Sequence, residues 1–467
     1  MFDDAREWAE TEFGGALLGD ARRTARVVKM AAQVARQPGG RVSTVYETDA
    51  ERQGAYDLLE NPRVGCCALV ESIAEATAHR AAAFSFVYVC VDGSSISIVD
   101  HTKTRNFGHL GSRNQDGRGL KVLSSIAVAP NGVPLGVCAL EWWARSTTRL
   151  ARSYNLPPRL RESQHWVNAL TQSARRLQEY APNTRLWFQL DREGDARVII
   201  NAASSTAHWF TIRSSVNRRL RDVGNKRRYL RSLLRRTPVI GTYRIDVPAR
   251  LGRPQRTATL RVQIVRATLR MKNNWSKTVK HIDVNVVRAQ EMDPPRGVEA
   301  LDWTLLTNRD LDSFDDARAA LLGYAQRWRI EEFHRAWKSG VCDVESMQLR
   351  ATAAAAKWAT ILAAVAMRVE RLKQLAREQP EDPATVEFSE PEIRALILLK
   401  RRRKKKTETI TDDIPTIAQA TTWIAELGGY TGKSSGGPPG AVTIARGLER
   451  LQPAVEMYEL VSAARKH

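Results

Sequence analysis

The chain has 467 residues, with 72 Lys+Arg against 51 Asp+Glu and a formal charge of +21. That length predicts two to four domains of about 100–200 residues each, and a hydrophobic share of 43% excludes wholesale disorder. Residues 201–280 hold 20 Lys/Arg and only two acids, Asp222 and Asp246, while the rest of the chain is nearly neutral. A polyanion is the expected partner of that segment.

In chain order, residues 1–75 read as helical. Asp20 is placed to cap ARRTARVVKMAAQVARQ, whose Val27, Met30, Ala31 and Val34 form one apolar face. Arg22, Arg23, Arg26 and Lys29 crowd its first two turns, a solvated basic face or a helix that tracks phosphates. From residue 85 the period shortens. FVYVCVD (86–92) precedes Gly93 and a second run, SISIV; KVLSSIAVA (121–129) meets a Pro-Asn-Gly turn and returns as VPLGVCALEWW. A helix is predicted around 163–180, then a buried strand, RLWFQLD, at 185–191. Strands, a helix and a further buried strand make an α/β order, the order in which RNase H-like domains begin.

Residues 205–305 alternate as HWFTIR, YRIDVPA, ATLRVQIVRATLR, HIDVNVVRA and DWTLLT, a β-rich, basic block that reads as an insertion into one domain. Ser313, followed by Asp315 and Asp316, opens what is predicted as one long helix to about Lys338. Residues 350–467 are Ala/Leu-rich helix, broken by an acidic linker from Gln379 to Pro391 and by GGYTGKSSGGPPG. The longest strongly apolar run, Ile361–Met367, is too short for a bilayer, and MFDDAREWAE lacks the layout of a signal peptide. Five cysteines without a CxxC read as apolar fillers in a reducing compartment, and eight scattered histidines offer no zinc pair. A cytoplasmic nucleic-acid protein with no membrane contact is expected.

Asp92 and Asp191 each end a buried-strand pattern, where side chains reach the edge of a sheet and a cleft can form; capping a turn is the plainer role. In YAQRWRIEEFHRAWK, Tyr324, Arg327, Glu331 and Lys338 share a helical stripe about 60° wide, and Glu332 is turned about 100° away. Trp328, Phe333 and Trp337 flank the stripe as aromatic surface. Three carboxylates on two strand ends and one helix suit Mg²⁺, which prefers such oxygens and keeps waters for phosphate to replace. A pair of such ions serves in-line phosphoryl transfer. The basic and phenolic groups would then hold the flanking backbone.

YAQRWRIEEFHRAWKSG resembles the Tyr-Arg-Glu-Lys signature of bacterial insertion-sequence DDE transposases of the IS-four-like family, in particular its Tn-five-type cut-and-paste members. LGDARRTARVVKMAAQVA, QGAYDLLENPRV, VDGSS, EWWAR, DREGD, DWTLLT and a Leu-Gly-Gly at 427–429 agree in order, so the resemblance runs nearly end to end. It implies an RNase H-like catalytic core at 76–345, interrupted by the β-rich insertion. A helical N-terminal end-binding domain at 1–75 and a helical C-terminal dimerisation domain at 346–467 would flank it. It further implies Asp92, Asp191 and Glu331 as the catalytic ligands of two Mg²⁺ ions, with Mn²⁺ able to substitute. Tyr324, Arg327 and Lys338 would contact DNA near the cut, and Trp303 would stack on a flipped base; the charge of the basic segment, apart from the resemblance, makes Arg213 an expected DNA contact. Arg22, Arg23 and Arg26 would read a terminal inverted repeat. The implied reaction nicks the 3′ end, forms and reopens a hairpin, and joins the ends to target DNA, within a homodimer. Gly93-Ser94-Ser95 and Gly194 depart from the usual strings without removing a carboxylate.

An RNase H-like nuclease or resolvase would use the same carboxylates without needing Tyr324 and Lys338, and a non-catalytic regulator would have no use for them. GGYTGKSS fails as a phosphate loop because position 427 is Leu where glycine is required. The basic run Lys400–Lys406 is either a solvated linker or a DNA contact.

Overall fold

A computed structural model describes residues 4–99, 106–111, 117–145, 156–157, 160–247, 255–273, 275–404, 408–433 and 437–464. Residues 405 and 406 of the basic run and 434–436 of the glycine-rich connector lie outside the described residues.

The N-terminal helices are α1 (Asp4–Phe13), α2 (Ala21–Arg36), α3 (Val42–Val45), α4 (Asp49–Glu60) and α5 (Cys66–Ala81). The Asp20 carboxylate accepts the Arg22 N–H at 2.9 Å, which satisfies one of the donors left free at a helix start. Val27, Met30, Ala31 and Val34 are buried as their spacing predicts.

A ten-stranded sheet follows: β1 (Phe86–Ser97), β2 (Gly108–His109), β3 (Arg118–Val128), β4 (Pro134–Trp143), β5 (Arg185–Leu190), β6 (Trp209–Arg213), β7 (Gly241–Val247), β8 (Arg256–Lys272), β9 (Val279–Glu291) and β10 (Asp302–Thr307). The order β3-β1-β5-β6-β10-β9-β8-β7 is continuous, and the outer edge of β3 pairs with β4 and, at its start, with β2. β1, β5 and β6 are parallel to one another, and β3 and β10 flank them antiparallel. Parallel strands are covered on both faces, hence the apolar run Val87–Val91 and the run Leu186–Leu190, interrupted only by Gln189, both buried throughout. One expectation changes here. β1 does not stop at Gly93, because pairing of Gly93 with Leu123 carries the strand on to Ser97. The basic block, read as an insertion, joins the same sheet, since β10 pairs with β6 and so splices β7–β9 onto it.

Helices α6 (Ser163–Tyr180), α7 (Arg197–Ser204) and α8 (Leu230–Leu234) lie between strands. The expected long helix is two, α9 (Phe314–Ala325) and α10 (Trp328–Lys338). Ser313 and Asp316 form a full capping box at the start of α9. The joint at Gln326–Arg327 keeps helical angles but closes i→i−3 bonds, Gln326 N to Gly323 O at 3.1 Å and Arg327 N to Tyr324 O at 3.1 Å, a local tightening of the turn. Gly323 lets α9 approach the sheet, because a Cβ there would sit 2.8 Å from Tyr88.

The C-terminal helices are α11 (Thr352–Glu378), α12 (Glu390–Arg403), α13 (Ile417–Leu427) and α14 (Ala441–Ala464). The Ile361–Met367 run lies within α11, a helix of 27 residues that is long and apolar enough to cross a membrane by length and composition alone, but whose apolar window is 83% buried inside the protein. It is a core helix. Pro391 lies within the first turn of α12, capped by Ser389, so the linker ends earlier than its composition suggests. Lys400 is buried and pairs with Glu408 and Glu426, which removes it from any DNA-contacting run. Cys90, Cys138 and Cys342 are buried fillers, whereas Cys67 is exposed.

Candidate active site

The register between β1 and β5 builds the site. Val91 lies opposite Leu190 in the last parallel pair, so Asp92 and Asp191 are the next residues on neighbouring strands, about 5 Å apart in the pairing direction. Side chains alternate along a strand. Tyr88 and Cys90 therefore share a face with Asp92, and Trp187 and Gln189 share one with Asp191. That face lies beneath the α9–α10 joint: the Cys90 thiol donates to the Gln326 carbonyl at 3.3 Å, and Tyr88, Trp187 and Gln189 all crowd Gly323. α10 then brings Glu331 over the same spot.

One guanidinium joins two of the three carboxylates. Arg327 Nη1 donates to Asp92 Oδ2 at 3.2 Å, and its Nη2 donates to Glu331 Oε1. Asp92 also accepts the Gly93 N–H at 2.8 Å, while Asp191 accepts the Glu193 N–H at 2.7 Å and so caps a short 3-10 turn. Burial first, and the Asp191 charge second, push the Asp92 carboxyl up to about 7; Arg327 and the Gly93 N–H oppose them, and Glu331 adds to the rise. Burial also works against the Arg327 charge, but Tyr324, Glu331 and Asp92 outweigh it and raise its pKa. Among the described residues no three ligating side chains form a ready cage. The donor set nonetheless fits a divalent cation: the carboxylates repel one another, and a cationic group already bridges two of them.

The remaining residues of the signature are placed less uniformly. Tyr324 is buried at 6% exposure, with Trp303 edge-on at 5.7 Å and Arg213 and Arg327 beside its hydroxyl. Lys338 is in the last turn of α10, 3.6 Å from Glu345. Glu332 is turned away, as its helical angle requires, and binds Arg329, Lys373 and Gln374. Phe333 and Trp337 are fully buried and stacked at 5.4 Å, so they are core, not the aromatic surface the stripe suggested. Arg213 ends β6, and its Nη2 lies 3.4 Å from the Asp302 carbonyl. A cleft of 870 Å³ opens there, lined by Trp303 and by Arg192, Arg213, Arg231, Arg235 and Arg288. Arg22, Arg23 and Arg26 lie on α2; Arg22 projects into solvent, Arg23 reaches the Leu18 carbonyl, and Arg26 lies against Gly54 of α4.

Three residues escaped the sequence reading. Asp195, with a fully buried side chain, accepts from Ser214, Ser215 and the Val216 N–H and pairs with Arg218, fixing the turn where the basic segment begins. The second aspartate of DREGD was its only signal. Lys121 donates to Ser95 at 2.9 Å, opposite it on β1. His334 is buried on α10 with Nε2 3.1 Å from the Oγ of Ser124, the residue paired with Asp92.

Residues 5–64 match the family described as transposase DNA-binding, and residues 364–465 match the transposase Tn5 dimerisation domain. Both matches flank the residues that carry the carboxylates. Together they support a Tn5-type transposase, with DNA as its partner and a second copy of the chain as the other.

Proposed function

We propose that this chain is a DDE transposase of the IS-four-like kind, which moves a DNA segment by cut-and-paste phosphoryl transfer at terminal inverted repeats. The carrying observation is the placement of Asp92 and Asp191 side by side past the last β1–β5 pair, with Glu331 tied to Asp92 through Arg327. The strand order β4-β3-β1-β5-β6, with β1, β5 and β6 parallel, supports an RNase H-like core. Residues 1–75 would read the DNA end through Arg22, Arg23 and Arg26, 76–345 would carry the chemistry, and 346–467 would join two subunits. Met457, Leu460 and Val461, exposed at i, i+3 and i+4 on α14, support that last assignment.

Asp92, Asp191 and Glu331 would hold two Mg²⁺ ions, or Mn²⁺ in their place, and Arg327 would release at least one carboxylate for them. Such ions, when bound, activate the attacking oxygen and stabilise the leaving one. The chain's own residues set the geometry. Arg327 and Lys338 hold the phosphates that flank the cut, and Tyr324 braces Trp303 from below. Trp303, at the mouth of the arginine-lined cleft, receives an unstacked base. That strain on the duplex lets the freed 3′-OH reach the opposite strand, close a hairpin and, after reopening, enter target DNA. The expected setting is the bacterial cytoplasm, at the nucleoid.

Asp92→Ala, Asp191→Ala and Glu331→Ala should each abolish Mg²⁺-dependent nicking of a repeat-bearing duplex, by about 10³-fold or more, while gel-shift affinity for that duplex stays within a few-fold. Nicking that survives any one of the three substitutions rejects the assignment.

A further inference from the structure

Beyond the site described, β8 and β9 continue as a two-stranded ribbon past the end of β10. Thr307, the last residue of β10, pairs with Asn285, whereas β9 still pairs with β8 from Val284 back to Val279. Beyond β7, the outer edge of β8 is met near Thr268 and Arg270 by Arg219 and Arg221, and at Met271 by the Arg197 guanidinium, which donates to its carbonyl at 3.2 Å. The turn at its tip is built from polar groups. Asn273 N donates to the Thr278 carbonyl at 2.7 Å, Asn273 Oδ1 accepts Trp275 N at 2.9 Å, and the Ser276 and Thr278 hydroxyls are 2.8 Å apart. Lys277 has φ +61, a left-handed conformation uncommon outside glycine and asparagine.

The Trp275 indole is 53% exposed at this tip. Arg270, Lys272, Lys277 and Lys280 flank it in the sequence, with the Lys280 ammonium donating to Asn201 Oδ1 at 2.5 Å, and no acid occurs between Arg266 and Asp283. A large aromatic left in water within an acid-free cluster of cations lacks a structural reason; apolar rings of that size are ordinarily packed away. Lysine ammonium groups seek phosphates, and an indole lies flat on sugars or bases.

We propose that this ribbon tip is a second DNA-binding element, in which Lys272 and Lys277 hold the backbone of a duplex and the Trp275 indole lies against its groove. It rests on the reading of the chain as a DNA-acting protein, and it assigns a contact that none of the signature residues makes. The duplex is either the element's own end or the target, which share this chemistry.

The test is equilibrium binding of the full chain at several KCl concentrations to two duplexes, one carrying the element's terminal repeat and one of unrelated sequence. Lys272→Ala/Lys277→Ala should weaken binding and flatten the log–log salt slope by about 1.8, two phosphate contacts' worth. Trp275→Ala should weaken binding about fivefold with the slope unchanged, and Trp275→Phe should restore most of it. Losses on both duplexes assign the tip to target DNA, and losses confined to the repeat duplex assign it to the element's end. Parental affinity and slope in every variant overturn the proposal, and a slope change without a Trp275 effect overturns the part given to the indole. If the parent itself binds neither duplex, the transposase reading fails instead.

Discussion

His334 lies three residues beyond Glu331, buried, with its Nε2 3.1 Å from the Ser124 hydroxyl. Burial, and then the charges of Lys338 and Arg327, hold its pKa down to about 3. In the unfolded chain the same imidazole titrates near its ordinary value of about 6.5. Between those two values the unfolded state binds a proton that the folded state refuses, so stability is full above about 6.5 and declines as pH falls toward 3. The parent should therefore lose more stability than His334→Gln when urea unfolding is compared at pH 7.5 and pH 5. Equal losses would show that the imidazole does not enter the acid response. Ser124 pairs with Asp92, so this neutral ring lies one residue away from the carboxylate cluster and adds no charge to it.

α10 is held from behind by ions. Glu332 accepts from Arg329 at 3.0 Å, Lys373 at 3.3 Å and Gln374 at 3.1 Å, and Arg329 also reaches Glu378, so α10 is fastened to α11. Burial raises the Glu332 carboxyl, but Lys373 and Arg329 outweigh it and hold the pKa below the ordinary range. Glu332→Ala leaves Lys373, at 7% side-chain exposure, with Glu370 as its remaining acid and takes one acceptor from Arg329 and from Gln374; it should cost about 1–3 kcal/mol in urea unfolding, and Glu332→Gln should cost less. A cost below about 1 kcal/mol would mean that the pairs are solvated. The facing of Glu331 and Glu332 was legible in the sequence, because one helical turn fixes their angle. Asp92 and Asp191 were legible as well, each closing an apolar run. The joint at Gln326–Arg327 was not, because no proline or glycine marks it and both residues keep helical angles. Gly93 reads as a strand end only when its partner Leu123 is unknown. The bridging of Asp92 by Arg327 depends on a contact across 235 positions, and no local spacing encodes it.

Across the whole molecule, the basic segment and the strands that lead to Asp92 and Asp191 share one sheet. The arginines of the basic segment that line the cleft, Arg213, Arg231 and Arg235, stand beside Trp303. Arg231→Ala/Arg235→Ala should lower duplex affinity and reduce the salt slope by about 1.8, measured as binding against KCl; an unchanged slope would turn that wall of the cleft away from DNA. The sheet's continuity has a further consequence. β6 and β10 are antiparallel neighbours, with Arg213 opposite Leu305, so residues 214–301 leave and re-enter the core at adjacent points. In topological terms they are a hairpin loop grown to the size of a module. A core of this kind can acquire, exchange or shed this basic module at a single seam without rethreading any other strand. The module can then diversify while Asp92, Asp191 and Glu331 keep their places.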